Sequence, residues 1–344
     1  MNVRLIAAVA ALFVALAGFS GETQPAGLAL IETYFRGVET GMEARKADPA
    51  QTKGVVAVQA RRAFRAEHSS PQPASPSRSI DLVAYRGLAS WVDIFDRGPW
   101  EDPIRAVKRM KRRGVQTLFL QTSIYGIFRP IFRRRQVSKF LRAAHRRNIK
   151  VVAWYVPSFK SVKFDLRRVR HAIGFKSRHG HRFDSFALDI ESDVVDNIAR
   201  RNRRLTTLSR MIRKDVGASY PLGAITPDPC CSLYWPRFPY KEVRRLFDVF
   251  VPMGYWTFRA SGYNGTKRYT SRNIAIIRRE TGDPEVPIHM IGGIADSAGK
   301  TDLKGFVSAI RRSGVIGASL YDFPITTKTG WKTMQSVPRS SSGE

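Results

Sequence analysis

The sequence predicts an α/β protein that folds as a (β/α)8 TIM barrel over residues 80–338. Short, nearly continuous apolar runs alternate with amphipathic or charged segments along this region. There are eight such runs and at least seven helical segments, within the roughly 250 residues typical of this barrel. The competing fold, an open doubly wound sheet, usually has a G-x-G-x-x-G turn after its first strand, and none is present here.

The predicted strands are apolar on both faces, as parallel strands are when both faces are covered. In chain order they are 81–85, 115–121, 149–156, 184–190, 221–226, 247–253, 286–291 and 315–321. The predicted helices are 102–113, 135–147, 162–173, 193–216, 239–246, 270–281 and 301–313. Gly114, Gly217 and Gly314 each stand where a helical pattern stops and an apolar run begins, which is typical of the residue after a helix.

The segment before the barrel has a different composition. Residues 1–21 carry Arg4, an apolar run from Leu5 to Phe19 and then small residues, which is typical of an export signal. The run is shorter than the ~20 residues that span a bilayer, so a cleaved signal peptide is favoured over a membrane anchor or a buried helix. Residues 22–79 contain a Pro/Ser tract and are predicted to be a poorly ordered linker, and residues 339–344 a flexible tail. An extracellular or cell-surface location follows, with membrane contact only through the N-terminal segment.

The chain is strongly basic. It has 58 Lys and Arg against 28 Asp and Glu, a formal net charge of +30. Such a charge could bind anionic cell-wall polymers through long-range attraction, whereas nucleic acid is not expected as a partner. The alternative is that arginines simply cover exposed helix ends, because runs such as 111–113, 146–147 and 311–312 end helical patterns and complement the helix dipole there. With 43% hydrophobic residues and only two cysteines, neither a disordered chain nor a disulfide-stapled scaffold fits.

In a TIM barrel the active site lies at the C-terminal ends of the strands and in the loops that follow. The residues at those positions are therefore candidate substrate-binding residues. Four of them are tryptophans, whose exposed faces would suit stacking against the apolar faces of sugar rings; the alternative for Trp154 and Trp256 is packing of the barrel. The candidates are Trp91, Gln121, Trp154, Tyr155, Asp228, Trp235, Met253, Trp256, Tyr321 and Asp322.

Asp189 and Glu191 stand two residues apart at the end of the fourth predicted strand. Side chains two apart share a face of a strand, so both point into the barrel or both point out. Inward placement is favoured, because Leu188 and Ile190 would then pack against the helices. Two neighbouring carboxylates repel when both are ionised, which raises the pKa of one and suits it to act as a general acid. The alternative is a pair neutralised by nearby arginines.

The segment from Phe183 to Glu191 resembles the strand-4 signature of chitinase-type glycoside hydrolases, D-x-x-D-x-D-x-E. Asp184, Asp189 and Glu191 occupy the first, third and fourth acidic positions, and Ala187 replaces the second. The chain also looks more generally like exported glycosidase-like barrels of actinobacteria. The departure at Ala187 bears on activity, because in that family the second acid helps to set the charge of its neighbour.

Met253-Gly-Tyr255 is similar to the M-x-Y that ends strand 6 in the same family. The resemblance implies that Glu191 donates a proton to the glycosidic oxygen. It implies that Asp189 orients an N-acetyl group acting as internal nucleophile, and that Tyr255 hydrogen-bonds to that group. A second catalytic glutamate after strand 7 is not expected, since no carboxylate ends that strand. An inverting mechanism would need a separate base, for which Asp228 and Asp322 are the candidates.

The expected function is that of an exported glycoside hydrolase-like enzyme that cleaves a cell-wall or amino-sugar polysaccharide. The alternatives are a non-catalytic carbohydrate-binding barrel at the cell surface and a polyanion-binding surface protein. No cofactor or metal is predicted; His179 and His181 could offer two ligands, but a polar loop is favoured because no third ligand stands at a known spacing. Cys230 and Cys231 are adjacent, and export would allow them to form a vicinal disulfide.

Overall fold

Eight parallel strands form the barrel in the computed structural model, which describes residues 80–338. The strands are β1 (Gly87–Val92), β2 (Thr117–Ile124), β3 (Lys150–Val156), β4 (Ser185–Asp189), β5 (Leu222–Thr226), β6 (Val249–Pro252), β7 (His289–Ile294) and β8 (Gly317–Tyr321). Their hydrogen-bonded order is β6-β5-β4-β3-β2-β1-β8-β7. Two isolated bridges, Phe250 with Ile288 and Met253 with Ile291, join β6 to β7 and nearly close the cylinder. The predicted TIM barrel is confirmed.

Helices connect the strands. They are α1 (Arg97–Glu101), α2 (Pro103–Arg112), α3 (Arg134–His145), α4 (Val162–Ile173), α5 (Ile198–Val216), α6 (Tyr240–Arg244), α7 (Gly262–Thr281), α8 (Lys300–Arg312) and α9 (Lys328–Met334). Side chains of Asp102, Ser161 and Asn197 accept hydrogen bonds from backbone N–H groups at the starts of α2, α4 and α5. Gly217 follows α5 with a φ of 75°, a conformation that favours glycine.

The first strand was misplaced by the sequence pattern. The predicted strand 81–85 is instead a turn, with a 3₁₀ helix at Val83–Tyr85, and β1 begins after it at Gly87. The Asp81 carboxylate accepts from the Val83 N–H at 2.9 Å and so fixes the turn. Tyr85 is fully buried, and its hydroxyl lies 2.7 Å from Ser185 Oγ at the start of β4. Two short apolar runs adjoin here, and periodicity alone does not distinguish the strand from the turn.

The remaining seven strands lie within three residues of their predicted bounds at each end. Two helices begin elsewhere than predicted. The segment 193–216 becomes helical only at 198, because the buried Arg201 guanidinium holds the carbonyls of Asp193 and Val195 in a loop. The segment 270–281 is preceded by eight further helical residues, whose glycines and asparagine have low helix propensity. Helix α6 is shorter than its predicted range 239–246, and α1 and α9 were not predicted.

Two clusters of buried side chains form the core. The interior cluster fills the barrel and includes Trp91, Phe119, Trp154 and Ala187. The larger outer cluster lies between the sheet and the helices. Trp91 stacks on Phe119 with ring centroids 4.1 Å apart, and its Nε1 donates to Ser319 Oγ at 2.8 Å. The C-terminal ends of the strands, together with the loops that follow them, are called the mouth below.

Within residues 80–338 no helix is both long and apolar enough to cross a membrane. The predicted signal or anchor 1–21, linker 22–79 and tail 339–344 lie outside the described residues.

Candidate functional site

The end of β4 brings two carboxyl groups to the mouth. Ala187 belongs to the interior cluster, while Leu188 and Ile190 belong to the outer cluster, so Asp189 continues the inward-facing row. Its side chain is 5% exposed, and its Oδ1 has no hydrogen-bond partner. Glu191 lies two residues further and is exposed. The strand therefore presents a buried carboxyl group below an accessible one.

The surroundings favour the protonated form of both groups. Burial raises the pKa of Asp189 well above its ordinary value, and the charge of Glu191 adds to the effect. Although the Glu191 side chain is exposed, removal of water by the protein around it raises its pKa to about 7, and the charge of Asp193 adds to this. Glu191 thus gains and loses a proton near neutral pH where solvent can reach it, which is the property that a general acid needs.

Tyr125 is a further polar group of this part of the mouth. It follows β2 directly, and its hydroxyl hydrogen-bonds to Ser192. Burial, then the charges of Asp193 and Glu191, raise the pKa of Tyr125 to about 12, so the phenol stays neutral. The sequence pattern does not reveal Tyr125, because the predicted second strand ends at 121, three residues before the observed end of β2.

A second acidic cluster lies where β1 and β8 adjoin. Tyr321 donates to Asp93 Oδ2 at 2.8 Å, and the Phe95 N–H donates to Asp93 Oδ1 at 2.7 Å. The Asp93 N–H donates to Asp96 Oδ2 at 2.9 Å, and Asp96 shares a hydrogen bond with Asp322. The peptide bond between Tyr321 and Asp322 is cis. Tyr321 and Asp322 were predicted candidates, whereas Asp96 was not.

This acidic cluster holds protons. Burial and then the charges of Asp93 and Asp322 raise the pKa of Asp96 to about 10. Burial and the charge of Asp93 raise the pKa of Asp322 to about 7, and Asp322 Oδ1 has no hydrogen-bond partner. One carboxylate oxygen from each of Asp93, Asp96 and Asp322 lies within 4.8 Å of the others, a spacing at which carboxylates could also hold a cation.

The expectation of exposed tryptophan faces at the mouth is wrong. Trp91 and Trp154 are buried in the interior cluster, their rings 5.7 Å apart. Trp154 stands opposite Ala187 in the register of β3 and β4, so the small side chain leaves space for the indole. Trp235 and Trp256 are buried in the outer cluster. Runs that are apolar on both faces do not reveal which way a tryptophan points. Large exposed apolar side chains on the loops after the strands include Phe95, Phe128, Leu233, Tyr234, Phe258 and Ile325.

Three other candidates support the mouth rather than line it. Gln121 Oε1 accepts from the Ile94 N–H at 2.9 Å and so braces the loop after β1. Tyr155 belongs to the outer cluster, and its hydroxyl donates to Asp165 at 2.7 Å, away from the barrel interior. Asp228 accepts from Tyr269 at 2.7 Å and from Ser232, which ties the loop after β5 to α7.

The end of β6 supplies the remaining candidates. Met253 is buried in the interior cluster. Tyr255 is half-buried, and its ring centroid lies 6.0 Å from that of Tyr321. The structure therefore brings Tyr255 next to the β8 side of the mouth.

Cys230 and Cys231 form a vicinal disulfide in the loop after β5. Both sulfurs lie near Asp228, but oxidation leaves no thiolate there for a metal ion. The predicted polar loop of His179 and His181 lies at the opposite end of the barrel. His181 Nδ1 is 3.1 Å from His145 Nδ1, and His145 Nε2 is 2.9 Å from Asp184 at the start of β4.

No protein-family model matches the sequence, and no curated protein does either. Solved structures match the fold. The spore cortex-lytic enzyme SleL of Bacillus cereus has a TM-score of 0.55 and 9% identity, with 73% of this chain and 74% of that chain covered. A chitinase from Bacteroides thetaiotaomicron has a TM-score of 0.56 and 11% identity, with 73% of this chain and 95% of that chain covered. The endo-1,4-beta-mannanase from Rhizomucor miehei has a TM-score of 0.58 and 6% identity, with 75% of this chain and 96% of that chain covered. At such identities the likeness shows the barrel fold.

Proposed function

We propose that this protein hydrolyses glycosidic bonds in a polysaccharide, with Glu191 as the proton donor. The observation that carries the proposal is the pair at the end of β4. Glu191 is accessible with a pKa of about 7, and Asp189 lies buried beside it with a free carboxyl oxygen. Barrels named as a cortex-lytic enzyme, a chitinase and a mannanase share the fold, which supports the choice of substrate class.

In the proposed reaction the protonated Glu191 carboxyl group donates its proton to the glycosidic oxygen as that oxygen leaves the anomeric carbon. A water molecule bonds to the anomeric carbon in its place, directly or after the acetamido oxygen of an amino sugar has done so, and a proton of that water returns to Glu191. Below about pH 7 most Glu191 side chains carry that proton. Asp189 favours its protonated form, because burial and the charge of Glu191 raise its pKa. It therefore offers the substrate both a hydroxyl donor and the unpartnered Oδ1 as an acceptor. An acetamido group on the reacting sugar would suit this pairing.

Two tyrosines would position the sugar. Tyr125 is a neutral phenol next to Ser192, on the β2 side of Glu191. Tyr255 lies at the end of β6 near Tyr321. Their placement on different sides of the mouth suits them to fix a ring between the carboxyl pair and the β8 strand. We propose a cell-wall or amino-sugar polysaccharide as the substrate and action outside the cell, consistent with the predicted export signal.

The test is release of reducing sugar from chitin oligomers, peptidoglycan and β-mannan by wild type, Glu191→Gln and Glu285→Gln. Glu285 is exposed and precedes β7, at the opposite end of the barrel from the mouth. Removal of a general acid should lower turnover by about 10²–10⁴-fold, while Glu285→Gln should match wild type. Full turnover by Glu191→Gln would contradict the assignment. Binding of one polysaccharide without turnover by wild type would favour the carbohydrate-binding alternative.

A further inference from the structure

A cavity of about 690 Å³ lies outside the barrel, between α5 and the segment that leads into α6. We call it the flank groove. Phe238 and Tyr240 contribute aromatic rings to it, with centroids 4.8 Å apart. Four of the residues that line it are basic and exposed: Arg203, Arg210, Arg237 and Lys241.

The flank groove is held in shape by hydrogen bonds between its two walls. Asn202 of α5 donates to the Arg237 carbonyl at 2.9 Å and accepts from Trp235 Nε1 at 2.8 Å. Arg201 donates to the Tyr234 carbonyl at 3.1 Å, and its guanidinium lies 4.7 Å from the Trp235 ring. A ligand would therefore meet a preformed surface, which lowers the entropic cost of binding.

The four cations have no carboxylate partner within the described part of the chain. None of Arg203, Arg210, Arg237 and Lys241 forms an ion pair of 4.0 Å or shorter with residues 80–338. Glu242 and Glu280 also line the flank groove, and Glu280 pairs with Arg279 at 2.7 Å. The four unpaired cations thus outnumber the two acids, which makes the flank groove electropositive. The mouth, by contrast, contains several carboxyl groups.

The spacing of the cations points to a ligand class. Arg203 and Arg210 are seven residues apart, so they project from the same face of α5 about 10 Å apart along its axis. An extended polysaccharide with one carboxylate per disaccharide presents one charge to each of these two guanidinium groups, whereas a DNA strand, with a phosphate about every 3.4 Å, would leave two phosphates between them without a partner. Guanidinium groups pair well with carboxylates.

We propose that the flank groove binds an acidic polysaccharide that carries one carboxylate per disaccharide. Arg203 and Arg210 would hold successive carboxylates, and Arg237 and Lys241 would face the chain from the other wall. The proposal does not depend on hydrolysis, since none of these residues is among the carboxyl groups and tyrosines proposed to act on the sugar. It would fix the protein on an anionic matrix while leaving the acidic mouth free for another chain.

The test is binding of a fluorescent hyaluronan decasaccharide, which carries alternate carboxylates, to the full chain at low and physiological salt. The charge-reversed variant Arg203→Glu/Arg210→Glu should bind at least roughly tenfold more weakly. The matched control is Arg105→Glu/Arg112→Glu on α2, which has the same spacing and charge change but does not line the flank groove. It should lose less than about threefold, the loss expected from net charge alone. Thermal unfolding should show that both variants remain folded.

Three outcomes would overturn the proposal. The first is that wild type does not bind the decasaccharide. The second is that both double variants weaken binding equally. The third is that single-stranded DNA with the same number of charges binds as tightly and depends equally on Arg203 and Arg210. The last outcome would make the flank groove a nucleic-acid site. All three are independent of Glu191, so they are distinguishable from failure of the proposed hydrolysis.

Discussion

Replacement of Asp322 by asparagine should raise the free energy of unfolding relative to wild type, and the gain should be larger in alkaline than in acid solution. Asp322 is 5% exposed in the acidic cluster, and burial with the charge of Asp93 raises its pKa to about 7, from an ordinary value of 3.8. In the unfolded chain the carboxyl group ionises near pH 4, whereas in the folded protein it keeps its proton until about pH 7. Stability from this group is therefore full below pH 4 and declines as pH rises to 7.

The size of the effect follows from the two pKa values. Each pH unit between them changes the free energy of unfolding by about 1.4 kcal/mol. Between pH 5 and pH 8 the wild type should therefore lose about 3 kcal/mol through Asp322, since two such units lie below its folded pKa. Asparagine keeps the shape and does not titrate, so the variant should not show this loss.

The assay is urea unfolding of wild type and Asp322→Asn at pH 5 and pH 8, at one ionic strength. The advantage of the variant over wild type should grow by about 3 kcal/mol between the two pH values. Glu101→Gln, an exposed acid on α1, controls for the loss of one negative charge. An advantage that is the same at both pH values would refute the reasoning, because it would mean that folding does not change the proton affinity of Asp322.

Three further predictions concern the mouth and its support. The rate of hydrolysis should fall as pH rises through 7. Asp193→Asn should move that fall to lower pH, because the Asp193 charge raises the pKa of Glu191. A pH-rate profile that is the same for the variant and wild type would contradict this. Arg168→Met should lower the free energy of unfolding by about 3 kcal/mol, since the buried guanidinium donates to four groups in and before the loop after β2; a loss under 1 kcal/mol in urea unfolding would show that the loop does not need it. Gly305→Ala should cost about 1–3 kcal/mol because its methyl group would collide with a backbone carbonyl of α7, whereas Gly126→Ala has nothing within 4 Å and should be tolerated in the same thermal assay.

The two-residue alternation of side chains along a strand explains which residues of the candidate site could be predicted. The inward row of β4 is readable because side chains alternate, so Ala187, Asp189 and Glu191 share a face. The Asp93 and Asp322 contact is not readable, because the ends of β1 and β8 come together only when the barrel closes. Nothing local in the sequence joins two residues that are more than two hundred positions apart.

The misplaced elements have local causes. The turn before β1 is as apolar as a strand because Tyr85 plugs the bottom of the barrel. The start of α7 has poor helix formers, and it is helical because it packs against α8, where Gly305 allows close approach. In both cases tertiary contacts override the local pattern.

The seam between β6 and β7 sets how the barrel can move. Other neighbouring strands share ladders of several paired residues, whereas this seam has two isolated bridges and bonds such as Gly254 N–H to the Ile291 carbonyl at 3.0 Å. The seam is therefore the sheet contact that a small fluctuation separates at least cost. Tyr255 stands directly beyond it, so we expect the mouth to widen on this side first, which would let the polysaccharide of the proposed reaction enter laterally instead of threading an end.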